Sequence, residues 1–274
     1  MTIEEMEKKR QDRGYTYRQI SDGSGVALGT VQKIFGGSTS SPRYDTVQKL
    51  ERFFVSEPSR YGTGRADAPS PVYAKYARKD IPNQGSYTVD DYISWPEDER
   101  IELIDGVIYD MAAPRNTHQV VTLEIAVQIR TQIRNKNGEC LPMISPVDVQ
   151  LDKDNRTMVQ PDFLIVCDKS KVSSDKRVYG APDFIVEILS PSTKMKDVFI
   201  KQNKYMNSGV REYWTVDINE RVVTVYQFSE GRVVQHNMDG VVPIGIYDGG
   251  IVVDFGDIIS YVSSFFGDNL LIDG

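Results

Sequence analysis

Residues 160–193 read QPDFLIVCDKSKVSSDKRVYGAPDFIVEILSPST. Two apolar runs stand out, FLIVC from Phe163 and FIVEILS from Phe184, each of strand length and bounded by turn residues. Each carries an acid. Asp162 opens the first run and Glu187 lies inside the second, 25 positions later. A carboxylate in a buried strand is costly unless it is paired or binds a cation. Two of them on neighbouring strands can share one Mg²⁺ or Mn²⁺, which take hard oxygen ligands and keep several waters. The segment after Ser190-Pro191-Ser192-Thr193 reads as a helix over 197–207. There Asp197, Lys201 and Tyr205 recur every fourth residue and share one face. A lysine aimed back at the strand ends can orient a water or neutralise a growing oxyanion. The alternative is a solvent-facing Asp-Lys pair of little energetic weight.

Working outward, Tyr87–Trp95 reads as a short helix capped by Thr88, with Asp90 and Asp91 in its first turn. RIELIDGVIYDM over 100–111 reads as two strands turning at Asp105-Gly106. Val121, Ile125, Ile129 and Ile133 mark a long amphipathic helix over 117–135. Strand-like runs follow at 140–145, 147–151, 161–167, 183–189, 212–216 and 222–228. This order predicts an α/β domain over 85–274, a mixed sheet flanked by helices.

Residues 1–54 are helical in pattern. Helices over 15–24 and 28–35 flank the turn Ser24-Gly25-Val26, and Gly36-Gly37 stops the second. A further helix over 45–54 adds Val47, Leu50 and Phe54 to a small core. Helix, short glycine turn, helix is the helix-turn-helix arrangement, whose second helix can enter the major groove. Residues 55–84, rich in Pro, Gly, Ser and Ala, read as a flexible linker.

The net charge of −7 argues against a protein that coats nucleic acid, so any phosphate contact must be local. Residues 1–54 hold nine Lys or Arg against seven Asp or Glu, which leaves the negative charge to the remainder. The only cysteines, Cys140 and Cys167, are far apart, an arrangement that argues against a disulfide framework or a Cys-based zinc site and fits a reducing compartment. No window resembles a membrane span, and the polar N-terminus does not read as a signal peptide, so a cytoplasmic chain is expected.

Two resemblances sharpen these expectations. The turn at Ser24, the following TVQKIFGG and the closing 42–50 segment resemble the Cro/repressor-type helix-turn-helix. By that analogy Thr30, Gln32 and Lys33 face the groove of double-stranded DNA. Residues 86–262 resemble the Uma-two family of restriction endonucleases, which have the PD-(D/E)xK nuclease fold. The shared strings are ELIDGVIYDM from Glu102, His118, QPDFLIV from Gln160, PDFIVEILSPST from Pro182, then Asp197, Lys201, Tyr205 and GVREYWTVD from Gly209. The resemblance implies that Asp162 and Glu187 bind metal, with Glu102 as an additional acid and metal ligand. Leu189 stands where the general pattern has lysine, so Lys201 is the implied catalytic lysine and Lys204 the fallback.

Together these imply a metal-dependent DNA endonuclease delivered to duplex DNA by its helix-turn-helix. The alternative is a DNA-bound regulator with an inactive nuclease fold. Symmetric cutting and binding to two half-sites would both suit a homodimer. Single residues read more blandly. A lone His118 at a helix start suits a cap or surface position more than the site entrance, and Tyr213-Trp214 suit the core more than base stacking.

Overall fold

The computed structural model describes residues 2–12, 17–36, 42, 44–55, 77–78, 80–96, 98–151, 155–172, 177–190, 194 and 196–267. The N-terminal helices are α1 (Ile3–Asp12), α2 (Tyr17–Ser24), α3 (Leu28–Phe35) and α4 (Tyr44–Val55). Apolar residues at helical spacing bury Met6, Ile20, Val31, Ile34, Leu50 and Phe54 in one cluster. Gly25 turns the chain between α2 and α3 at φ +69°, where a side chain would be strained. Ser21 Oγ donates to the Val26 carbonyl at 2.7 Å and ties the turn.

The α/β part opens with α5 (Val89–Ile93), the hairpin β1 (Ile101–Ile104) and β2 (Val107–Asp110), and the long α6 (Asn116–Asn135). Thr88 caps α5 in a reciprocal box with Asp91, as expected. The hairpin turns at Asp105-Gly106, both at positive φ. The strands β3 (Leu141–Ile144), β5 (Phe163–Val166), β7 (Phe184–Ile188), β8 (Glu212–Asp217), β9 (Val222–Gln227) and β10 (Arg232–Asn237) form the central sheet, with the short β4 (Val149–Gln150) and β6 (Val178–Tyr179) paired beside it. The sheet order is β10-β9-β8-β7-β5-β3. Its β7–β8 pair is parallel and its other pairs antiparallel, so it is a mixed sheet.

Period-2 alternation divides β5 and β7 between two cores. Phe163, Ile165, Phe184, Val186 and Ile188 face α6. Leu164, Val166 and Ile185 face the hairpin side. Asp162 and Glu187 fall on that second face by the same alternation. The ladder pairs Phe163 with Val186, and its next step sets Asp162 opposite Glu187.

The chain after β7 departs from the expected α-helix. Lys196–Lys201 form a π-helix that runs into α7 (Gln202–Ser208), which Gly209 ends at φ +95°. Residues 191–193 of the expected turn lie outside the described residues. The C-terminal elements lie beyond the last strand assigned from sequence. After the β11 (Val241–Pro243) and β12 (Val252–Asp254) pair, α8 (Phe255–Phe266) packs Phe255, Ile258 and Val262 beside α6 against the sheet.

Three expectations need correction. Cys140 and Cys167 are joined in a disulfide. Leu141 pairs with Val166, so the antiparallel β3–β5 register sets the two cysteines side by side, a proximity their 27-residue separation concealed. The expected 55–84 linker is shorter at its far end. Ala77 is buried with Tyr109, and Ile108 N donates to Gln84 Oε1 at 2.8 Å, so this stretch packs on the hairpin; residues 56–76 lie outside the described residues. Finally, the helix-turn-helix is not a free tether. Its core continues into Leu189, Val198 and Phe199 of the α/β part.

Candidate nuclease site

Four acids and two lysines meet between the sheet end, the hairpin and the π-helix. Glu102, wholly buried on β1, receives Lys196 Nζ on Oε2 at 2.8 Å and Lys201 Nζ on Oε1 at 2.7 Å. The Gln160 backbone N–H donates to the same Oε1 at 3.1 Å. Lys201 Nζ also reaches Glu187 Oε1 at 2.9 Å and stands 3.6 Å from Asp197 Oδ1. The Tyr205 hydroxyl donates to Glu187 Oε1 at 2.7 Å. Asp162 Oδ2 accepts from the Ile188 backbone N–H at 2.8 Å and lies 3.0 Å from His118 Nε2.

The π-helix explains how two lysines reach one carboxylate. At 3.6 residues per turn, side chains five apart diverge by about 140°. An i→i+5 helix brings them back toward one side. Lys196 and Lys201 are five apart, and both reach Glu102.

Electrostatics follow from this crowding. Burial pushes the Glu187 carboxyl up; Lys201 opposes that, but Asp162, Asp197 and Glu102 add to it, and the value rises to about 8. Burial also acts to raise Glu102, yet Lys196 and Lys201 outweigh it and bring that carboxyl down to about 2. Burial acts to lower Lys201, and Glu102, Glu187 and Asp197 overcome it, so the ammonium is held well above its ordinary value. Desolvation, reinforced by Glu187, keeps Tyr205 protonated as a donor.

A pocket of about 360 Å³ opens onto this cluster, lined among others by Arg100, Glu102, His118, Asp162, Glu187 and Lys201. Among the described residues, no three His, Cys, Asp or Glu side chains stand together closely enough to hold a metal ion. The expected triple of Glu102, Asp162 and Glu187 is not assembled, because Lys201 is inserted between Glu102 and Glu187. Asp162 and Glu187 remain, and the donor chemistry of this pair fits a hard divalent cation. Their protein contacts fall on Oδ2 and Oε1 respectively, which leaves one oxygen of each for a ligand. Mg²⁺ needs only one or two protein carboxylates beside water and phosphate.

Residues 89–245 match the Uma2 family model, described as "Putative restriction endonuclease". The chain belongs to that family. Residues 6–54 match a helix-turn-helix model. Among solved structures, a protein from Anabaena variabilis described as a "putative nuclease belonging to DUF820" superposes with a TM-score of 0.53. It shares 20% identity, and the match covers 64% of this chain and 98% of that one, a likeness of fold. No curated protein matches the sequence.

Within the Uma2 domain the structure gathers Glu102, Asp162, Glu187 and Lys201 at one pocket, and Lys201 and Tyr205 meet on Glu187 as their spacing suggests. Lys204, the fallback lysine, instead pairs with Asp105 in the hairpin turn. Of two further site residues, Lys196 goes unread in the sequence and His118 receives only the weaker of its two readings there. Lys196 carries no four-residue spacing to its partners, and the π-turn alone brings it to Glu102. His118, expected at a cap or surface position, touches Asp162, and its Nδ1 is buried without a hydrogen-bond partner. The signal available for it is the shared string at the helix start. Thr30, Gln32 and Lys33 are exposed on α3. Tyr213 and Trp214 are fully buried, and the Tyr213 hydroxyl donates to the Asp197 carbonyl at 3.0 Å. Among the described residues, no helix is long and apolar enough to cross a membrane.

Proposed function

We propose that the chain is a divalent-metal-dependent endonuclease that hydrolyses phosphodiester bonds of duplex DNA. The observation that carries this reading is the Asp162–Glu187 pair. Two carboxylates sit on adjacent strands at a pocket, each with one oxygen tied by the protein and one left over. In this reading Asp162 and Glu187 hold Mg²⁺ or Mn²⁺. Such a cation activates water and neutralises the charge that grows on the phosphate. Lys201, held protonated by Glu102, Glu187 and Asp197, would donate to a phosphate oxygen beside such a cation. Glu102 anchors Lys196 and Lys201 rather than joining the metal. Water attacks phosphorus, the P–O bond to the leaving oxygen breaks, and the proton lost by the water is balanced by the one that the leaving oxygen gains from solvent.

The helix-turn-helix presents Thr30, Gln32 and Lys33 to the major groove. A homodimer would place two such helices on two half-sites and two centres on opposite strands. A DNA substrate suits a cytoplasmic location, and the Cys140–Cys167 disulfide removes the cysteines as an argument for it. A second reading, a DNA-bound regulator without cleavage, draws on the closed lysine pairs of Glu102 and on Leu189 where a lysine is usual. Supercoiled plasmid incubated with Mg²⁺ or Mn²⁺ separates the two. Nicking that Asp162→Ala abolishes supports the nuclease. Binding without nicking under either metal supports the regulator.

A further inference from the structure

The π-helix has three sets of neighbours. Lys196, Asp197 and Lys201 turn to the carboxylate cluster. Ile200 joins the core beneath the hairpin with Tyr205 and Tyr213. Val198 and Phe199 leave the α/β domain altogether and enter the core of the N-terminal helices, with Ile20, Val31, Leu50 and Phe54. Six consecutive buried residues thus belong to two hydrophobic cores and one polar site.

The seat is tight and aromatic. Phe199 meets Phe53 of α4 edge to face, ring centroids 5.8 Å apart and planes at 80°. Phe53 is braced in turn by Phe54 at 5.0 Å. Gly23 of α2 closes the third side. A Cβ there would stand 2.4 Å from Phe53 Cε2 and 3.2 Å from Phe199 Cε1. The absence of a side chain at 23 is what lets the three segments touch. Thr30, Gln32 and Lys33 take no part and remain exposed on α3.

A π-turn tends to relax toward the i→i+4 ladder unless its surroundings hold it. Relaxation here would carry Lys196 and Lys201 off a common side. We propose that the docked helix-turn-helix is a working part of the nuclease centre, and that Phe53 is a positioning residue. Through Phe199 it holds the π-turn in register and so keeps Lys196 and Lys201 on their carboxylates. Cleavage then depends on the N-terminal domain even on DNA that this domain does not read. The cleavage half of this inference rests on the nuclease reading above; the positioning half does not.

The test uses the full chain carrying Phe53→Ala, Phe53→Leu as the conservative variant, and Gly23→Ala. The last removes a helix-weakening glycine from α2, which favours the helix itself, while wedging a methyl into the seat. Amine acetylation read by mass spectrometry reports each lysine with or without activity. Lys196 and Lys201 should label about 3- to 10-fold faster in Phe53→Ala, the range that loss of one aromatic pair supports. Gly23→Ala should act in the same direction, Phe53→Leu should fall near the wild type, and exposed Lys136 should not change. On a short duplex without a recognition site, kcat should fall in Phe53→Ala and Gly23→Ala while KM holds. Unchanged labelling of Lys196 and Lys201 in folded Phe53→Ala and Gly23→Ala proteins overturns the proposal. A wild type that cuts no DNA overturns the nuclease reading instead, and the labelling still decides the positioning.

Discussion

Lys201 bonds Glu187 at 2.9 Å from fourteen residues downstream, and the same ammonium reaches Glu102 on a different sheet. One cation therefore separates two acids that the shared sequence strings assign to a common metal.

That relationship makes Lys201 structural as well as functional. Removing one partner of a buried ion pair leaves the others uncompensated, at a cost of about 3–5 kcal/mol. Lys201→Met keeps the length of the side chain but not its charge. Its metal-free melting temperature should fall clearly below that of the wild type. Added Mn²⁺ should then stabilise it more than it stabilises the wild type, because the freed carboxylates gain a cation. Thermal denaturation with and without Mn²⁺ checks this; equal metal-induced shifts in both proteins would contradict the role given to Lys201.

The raised Glu187 carboxyl predicts a pH slope. Its folded value of about 8 lies above the ordinary 4.5, so between these values the folded protein holds a proton that the unfolded chain has lost. Stability from this group is present at low pH and lost as pH rises through that window. Glu102, down at about 2, acts oppositely, and its contribution is lost only in strong acid. Urea midpoints of the metal-free protein should therefore decline from about pH 5 toward pH 8, and Glu187→Gln should flatten that decline. An unchanged slope in the variant would assign the effect elsewhere.

His118 stands behind Asp162, 3.0 Å from the oxygen that also accepts from the Ile188 backbone. Partners that orient a metal-binding carboxylate typically contribute about 10- to 100-fold in affinity. His118→Ala should weaken Mn²⁺ binding within that range while circular dichroism stays unaltered. Calorimetric titration gives the answer, and identical affinities would reduce His118 to a helix-start residue.

The exposed side chains of α3 separate phosphate contact from base reading. Lys33→Ala should weaken binding to all duplexes alike and reduce the salt slope by about one. Gln32→Ala should relax sequence preference at one position, at a cost of about 1–3 kcal/mol there. Fluorescence anisotropy across a salt series distinguishes them. Variants that bind DNA indistinguishably from the wild type would remove α3 as the reading element.

Local patterns are legible in the amino-acid sequence by itself. Alternation within FLIVC and within FIVEILS fixes which neighbours share a face with Asp162 and which with Glu187, while the register pairing Phe163 with Val186 puts both acids on the same face. Asp105-Gly106 announces its hairpin because both residues tolerate positive φ. Val31, Ile34, Leu50 and Phe54 mark the helical core at the N-terminus. Each of these depends on neighbours a few residues away, whose preferences the chain itself carries. What stands beside Glu102 does not. The π-turn that delivers Lys196, the β3–β5 register that joins Cys140 to Cys167, and the aromatic seat of Phe53 on Phe199 all arise where distant segments press together. Packing energy between segments, which no local period encodes, decides those contacts.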